Sequence, residues 1–204
     1  CSGSCTQWSP TTVEPSEVCS GGSAAQDYKW WGCVGSRKNG NLRLDDSSPN
    51  SPYPGYVSTW QQCLNPIVQL TSNKNTLLTA ANGMIVNRSS YFPNTYIPAG
   101  LIWGLNVLSP GAPFEDAGAY DSLNLKPRKV AVLMTDGENT LRYDATKGTH
   151  ELHSSAAAKK TELDGTNNDT KAICDYMKTK NIEIFSIAFM VEDATAKSML
   201  EYCA

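Results

Sequence analysis

The sequence is poor in the features that mark many common activities. It holds only two histidines in 204 residues. No Ser-His-Asp or Cys-His order of convincing spacing can be drawn from it, so no nucleophilic hydrolase is read here. The formal net charge is -3, without the clustered basic face that a grip on nucleic acid needs, and no nucleic-acid partner is expected. No apolar run approaches the ~18 residues of a membrane-spanning helix. No segment repeats. A secretory leader and an initiating Met are missing too; the chain opens at Cys1 and is read as a processed or trimmed piece of something longer.

Cysteine, by contrast, is plentiful. Cys1, Cys5, Cys19, Cys33 and Cys63 fall in the first third, amid Ser, Gly, Pro and Trp, while Cys174 and Cys203 stand near the other end. That composition suits a disulfide-braced insertion in an oxidising compartment. Zinc is the competing use: Cys1-x-x-x-Cys5 has tolerable spacing, but no second pair and no local His complete a site. The odd count leaves one thiol free, or paired with a segment not present. Turn formers crowd Thr6 to Pro15, Ser20 to Ala25 and Asp45 to Gly55, and Trp8, Trp30, Trp31 and Trp60 are expected to form a small local core. Residues 1–65 therefore read as a Cys- and Trp-rich insertion, and 66–204 as an α/β portion.

In that portion Ile67 to Thr71 reads as a short strand. Asn73 or Asn75 caps a helix over Thr76 to Val86, with Leu77, Leu78, Ala81 and Ile85 on one face. After a loop from Asn87 to Thr95, Pro98 opens a helix, Ala99 to Leu108, that Ser109-Pro110-Gly111 stops. Gly100 and Gly104 are spaced to let its backbone approach a sheet closely. Lys129 to Met134 then forms a strand buried on both faces, ending in Thr135-Asp136-Gly137. A helix over Thr170 to Lys180, a second doubly buried strand over Ile182 to Phe189 and a helix over Ala194 to Tyr202 follow. Between the two strands, Glu138 to Asp169 reads as a long surface excursion, with a short helix around Ser154 to Lys160 and with His150 and His153 in solvent. Asn87-Arg88-Ser89 and Asn168-Asp169-Thr170 fit the glycosylation acceptor pattern. The alternation of strand and helix predicts an α/β class: a Rossmann-like parallel sheet flanked by helices, with the Cys-rich loop insertion at its N-terminal side.

Ligands of open α/β sheets bind at the C-terminal ends of the strands, which is where Asp136 falls. The plainer reading is that Thr135 and Asp136 cap the next helix. Thr95, in the loop before Pro98, is the second oxygen donor of interest. Hydroxyl and carboxylate oxygens are the hard ligands Mg²⁺ or Ca²⁺ prefer, though two of them make a weak site.

The run Asn94-Thr95-Tyr96-Ile97-Pro98-Ala99-Gly100-Leu101-Ile102-Trp103-Gly104, then Leu108-Ser109-Pro110, then Val132 to Thr140 around Thr-Asp-Gly, resembles the von Willebrand factor A (vWA) domain of TadG-type proteins of Tad/Flp pilus assembly. Trp31-Gly32-Cys33-Val34 with Arg37, Leu70-Thr71, and Cys174 with Cys203-Ala204 extend the likeness over roughly residues 30 to 204. The resemblance implies a metal-ion-dependent adhesion site built from an Asp-x-Ser-x-Ser loop, a Thr and the Asp of Thr-Asp-Gly. Thr95 and Asp136 match the last two, and the chain contains no Asp-x-Ser-x-Ser. Mg²⁺ is thus the implied ion, bound weakly or not at all here. A protein-binding module is implied, extracytoplasmic (periplasm or cell surface), not an enzyme, meeting a pilus or cell-envelope protein and anchored to the membrane in the full-length protein. The alternatives are a Mg²⁺-dependent phosphoryl-transfer or hydrolytic enzyme using Asp136, and a structural domain without metal. Cys174 and Cys203 sit on helices expected to be neighbours, so a Cys174–Cys203 disulfide is predicted, with a second bridge, Cys33–Cys63, inside the insertion.

Overall fold

The two apolar runs singled out above pair side by side and in parallel, and the rest of the chain is arranged around them. The computed structural model describes residues 27–39, 41–47, 53–87 and 91–204. Cys1, Cys5, Cys19, Trp8, the first two turn-rich stretches and most of the Asn87-Arg88-Ser89 acceptor lie outside those residues. In chain order the elements are β1 (Lys29–Val34), β2 (Lys38–Asn39), β3 (Asn41–Leu42), β4 (Gly55–Ser58), α1 (Lys74–Asn82) and α2 (Ile97–Leu108). Then come β5 (Val130–Thr135), β6 (Leu141–Asp144), β7 (Thr149–Leu152), α3 (Lys159–Thr179), β8 (Glu183–Ala188) and α4 (Ala194–Cys203).

Strands β5 and β8 run parallel, from Val130 opposite Glu183 to Thr135 opposite Ala188, with α3 in the crossover. The architecture is mixed α/β: a small parallel sheet flanked by helices. Alternation along the strands sends Ala131, Leu133 and Ile184 to one face, where they meet Leu101, Ile102 and Leu105 of α2 and Ile173 and Met177 of α3. Met199 and Leu200 of α4 pack with Ile97 and Leu133 beside them. Cys174 and Cys203 form a disulfide that clips α4 to α3. Cys33 and Cys63 form the second, joining β1 to the chain beyond β4. Both predicted pairs are present, and closing loops of this length contributes about 3–4 kcal/mol each.

Cover on both faces was expected, and the structure corrects it. Helices α2, α3 and α4 all pack on one side. On the other, Val132 and Met134 are 62% and 60% exposed, and their neighbours Phe185 and Ile187 are 50% and 44% exposed. The physical reason lies upstream. Ile67 to Thr71 forms no strand, and Ile67 and Leu70 are exposed, so no third strand carries α1 onto the sheet. Helix α1 is capped by Asn73, whose side chain accepts from the Asn75 and Thr76 amides, yet it buries no residue. Gly100 and Gly104 bring no close approach either; a Cβ built at either meets nothing within 4 Å.

The stretch from Glu138 to Asp169 is more ordered than its polar sequence suggests. β6 and β7 form an antiparallel hairpin with Tyr143 opposite His150. The Asp144 carboxylate accepts from the Thr146 and Lys147 amides to shape the turn, and Gly148 closes it at φ +74°. Helix α3 begins at Lys159 and buries Leu163, Thr166, Thr170 and Ile173 along one stripe. Thr166 ties helix to hairpin by donating its hydroxyl to the Leu141 carbonyl at 2.9 Å.

At the N-terminal side β1 and β4 pair antiparallel. Trp30 and Trp31 are half-buried, and their ring N–H groups donate to the Cys33 and Ser58 carbonyls at 2.8 and 3.0 Å; Trp60, expected with them, is exposed. Gly35 is required here, because a Cβ at that position would lie 2.1 Å from the Tyr56 hydroxyl. Arg37 is buried, donating to the Asp45 and Ser47 carbonyls at 2.8 Å each and lying over the Tyr53 ring. It holds out Asp46, whose carboxylate accepts from Ser109, Tyr120 and Tyr176. Burial alone would raise that carboxyl's pKa. The three hydroxyls and the nearby Lys180 charge outweigh burial and lower it.

The one-sided sheet separates two substitutions that the apolar runs alone would rank together. Ile184→Ala should cost about 2–4 kcal/mol and Val132→Ala less than about 0.5 kcal/mol in urea melts. Equal losses would mean that the outer face is covered.

Candidate functional site

The C-terminal end of β5 is built by backbone turns and one buried amide. Thr135 folds its hydroxyl over the turn, accepting from the Gly137 amide at 3.3 Å and donating to the Gly137 carbonyl at 3.1 Å. The capping reading of Thr135 and Asp136 is overturned, because the next element is β6 and not a helix. The Asp136 side chain is exposed, and no hydrogen bond or ion pair holds it among the described residues.

Thr95 arrives from the other side. Its amide donates to the Thr140 hydroxyl at 2.7 Å, and its carbonyl accepts from the Thr140 and Leu141 amides at 2.9 and 3.1 Å. The loop carrying Thr95 is thus zipped to the segment that follows Asp136. No hydrogen bond joins the Thr95 and Asp136 side chains themselves.

The residue that makes this junction is Asn139, 2% exposed. Its Oδ1 accepts from the Ile97 amide at 2.7 Å, and its Nδ2 donates to Asn167 Oδ1 on α3 at 2.8 Å. The same Nδ2 lies 3.8 Å from the Met199 sulfur of α4. Helix α2 needs this help: its N-cap is Tyr96, which supplies no side-chain cap, so an orphan amide of the first turn is satisfied from a distance. Beside Asn139 a cleft of about 310 Å³ opens between the starts of α3 and α4, its walls mixing Glu138, Asp164 and Asp193 with Lys159 and Lys160.

As a metal site the edge is incomplete. Among the described residues no group of three or more His, Cys, Asp or Glu is placed to hold an ion. Thr95 and Asp136 would supply two oxygens, one of them charged, where Mg²⁺ wants six in near-ideal geometry. The donor set does not fit Mg²⁺.

His150 was expected in solvent and is instead caged. Its ring stacks on Tyr96 at 4.0 Å between centroids, meets Tyr56 edge-on and lies beside Tyr143. Its Nε2 shares a hydrogen bond with the Ser36 hydroxyl at 2.7 Å. Burial pushes the imidazole pKa down to about 4, so the ring is neutral at physiological pH. Ser36 is itself buried. This serine–histidine pair knits the N-terminal segment to the hairpin. Tyr56 reinforces the link by donating to the Gly148 carbonyl at 3.2 Å.

Two measurements test these assignments. Asn139→Ala leaves the buried Ile97 amide without its partner and should cost about 1–3 kcal/mol. A neutral effect would mean that water reaches the junction. For His150, the unfolded chain takes up a proton near pH 6.5 and the folded chain only near pH 4. Between these values the unfolded state holds more protons, so stability falls as pH falls. Asp169 opposes it: burial pushes its carboxyl up to about 6 from 3.8, so acidification through that window favours the folded state. His150→Phe removes only the first effect. The variant should therefore lose less stability than the parent between pH 7 and pH 4.5, and identical pH profiles would put the imidazole in solvent.

Against this geometry, the comparisons give no relative to lean on: no family model, no curated protein and no solved structure matches this chain. The site rests on its own residues.

Proposed function

We propose that this chain is a protein-binding module, an extracytoplasmic vWA-like domain of a Tad/Flp pilus assembly or adhesion protein. The observation that carries the reading is the zipping of the Thr95 loop onto Thr140 and Leu141. It supports the reading by bringing the Thr95 segment alongside the chain that follows Asp136, and Asp136 stands at the kind of strand end where α/β sheets take ligands. The two disulfides suit an oxidising compartment outside the cytoplasm. Among the described residues no helix is long and apolar enough to cross a membrane.

In this reading the partner is a pilus or cell-envelope protein, and Asp136 is its electrostatic anchor. An exposed carboxylate without an internal partner pairs with a Lys or Arg brought by the other protein. No step runs through Mg²⁺. The competing reading, an enzyme with Asp136 as nucleophile, would want a second carboxylate and a Lys poised beside it, and Asp136 stands without either as a bonded neighbour.

Purified pilus subunits and envelope proteins from the same cell, titrated against the immobilised chain, test the proposal. Binding by one of them should weaken at least about tenfold in Asp136→Ala, the loss expected when a charge-assisted hydrogen bond of about 1.5–3 kcal/mol is removed, with the melting temperature unchanged. Calorimetry should find no micromolar Mg²⁺ affinity. Turnover in a phosphatase or esterase panel that Asp136→Ala abolishes would move the chain to the enzyme class.

A further inference from the structure

The sequence holds two Asp-Gly pairs, Asp136-Gly137 and Asp164-Gly165, and the fold treats them differently. In such a pair the glycine nitrogen can close on the side-chain carboxyl carbon of the aspartate before it, because the missing Cβ leaves the approach uncrowded. Closure gives a five-membered succinimide. In a folded chain the outcome turns on how firmly the two reacting groups are held by other partners.

Asp164 and Gly165 lie inside α3. An interior helical amide donates to the carbonyl four residues back, so the Gly165 nitrogen is committed to the helix. The Asp164 carboxylate pairs with Lys160 at 2.6 Å. To close a ring there, α3 must unwind around a stripe that buries Leu163 and Thr166. Asp136 and Gly137 are held by far less. They form the bend beyond β5, outside any helix or strand. The Gly137 amide donates to the Thr135 hydroxyl at 3.3 Å, longer than the usual range for such a bond, and to no backbone carbonyl among the described residues. The Asp136 side chain is exposed. A Cβ built at Gly137 meets nothing within 4 Å, so nothing crowds the ring as it forms.

We infer that Asp136 is a site of spontaneous covalent modification, aspartate to isoaspartate, from which α3 shields Asp164. The Asp136 carboxyl reacts in its protonated form. The Gly137 nitrogen bonds to the Asp136 side-chain carboxyl carbon, and the amide proton leaves with the carboxyl hydroxyl as one water. Water then reopens the ring. Cleavage between the nitrogen and the side-chain carbon restores aspartate. Cleavage between the nitrogen and the main-chain carbon leaves isoaspartate, with the chain running through the side-chain carbons and the former main-chain carbonyl now a free carboxylate. No electrons are exchanged, and the water lost is returned. The Phe189 amide donates to the Thr135 carbonyl at 2.9 Å, before the altered bond, so β5 and β8 stay paired and the change is confined to the bend. The exposed product is a substrate for the class of methyl-transfer reactions that esterify an isoaspartyl carboxylate. The inference requires no partner for Asp136.

The test keeps the whole folded chain for several weeks at physiological temperature and mildly acidic pH, then maps its peptides by electron-transfer fragmentation. A zero-time sample sets the background from digestion. Isoaspartate should accumulate at position 136 at least tenfold faster than at 164, through a peptide one water lighter than its parent. In the chain unfolded in urea with its disulfides reduced, the two positions should convert at similar rates. Asp136→Glu, for which the ring would be six-membered, should show no conversion and an unchanged melting temperature. Conversion at both positions in the unfolded chain but at neither in the folded one would overturn the inference, because the bend would then be held as firmly as the helix. Equal conversion at both positions in the folded chain would overturn it too, since α3 would be giving no protection.

Discussion

The arrangement of the molecule hangs on one side-chain amide. Asn139 is buried, and a buried amide is tolerated only when its donors and acceptor are met. Its partners come from the first turn of α2, the middle of α3 and the body of α4, three separate helices. Hydrophobic contact would hold those helices against the sheet at many rotations. The directional bonds of Asn139 select one, and with it the position of the Thr95 loop relative to the end of β5.

Asp46 does a comparable job at the opposite end of α2. Its carboxylate gathers hydroxyls from Ser109, Tyr120 and Tyr176, while Lys129 donates to the Leu108 and Gly118 carbonyls at 2.5 Å each. Arg37 sets the loop that presents Asp46 by donating to the Asp45 and Ser47 carbonyls. The N-terminal segment is thus fastened by polar groups at several points, among them Asp46 and the Ser36–His150 pair. Polar anchoring of this kind specifies a geometry more than it adds free energy, since each group gives up water to make its bonds.

What could be read from the sequence follows from how apolar residues are distributed. Continuous runs gave away β5 and β8, and Pro98 with Ser109-Pro110-Gly111 framed α2 within two residues. The Cys174–Cys203 disulfide followed from the neighbourhood of α3 and α4. The first half of α3 was hidden because its buried stripe uses Thr166 and Thr170, which look polar but satisfy themselves locally, Thr170 donating to the Thr166 carbonyl. The β6–β7 hairpin was hidden for the same reason, since Leu-Arg-Tyr-Asp and Thr-His-Glu-Leu show no clean alternation. His150 looked solvated because its cage, Tyr56 and Tyr96, comes from distant segments. Thr95 and Asp136 were singled out by motif order. Asn139 was not, although a helix starting behind Tyr96 without a capping side chain signals that a cap must be borrowed.

The Cys174–Cys203 bond has a mechanical consequence. Cys203 is the last residue of α4, and its covalent partner lies on α3. A pull applied on the C-terminal side of Cys203 therefore does not peel α4 or unzip β8 from β5. The load crosses directly into α3, and the 29-residue separation between the two cysteines drops out of the force path. Tension must act on α3 and on the hairpin tied to it before the parallel pair feels any, and along the chain it then enters β5 at its C-terminal end, beside Asp136.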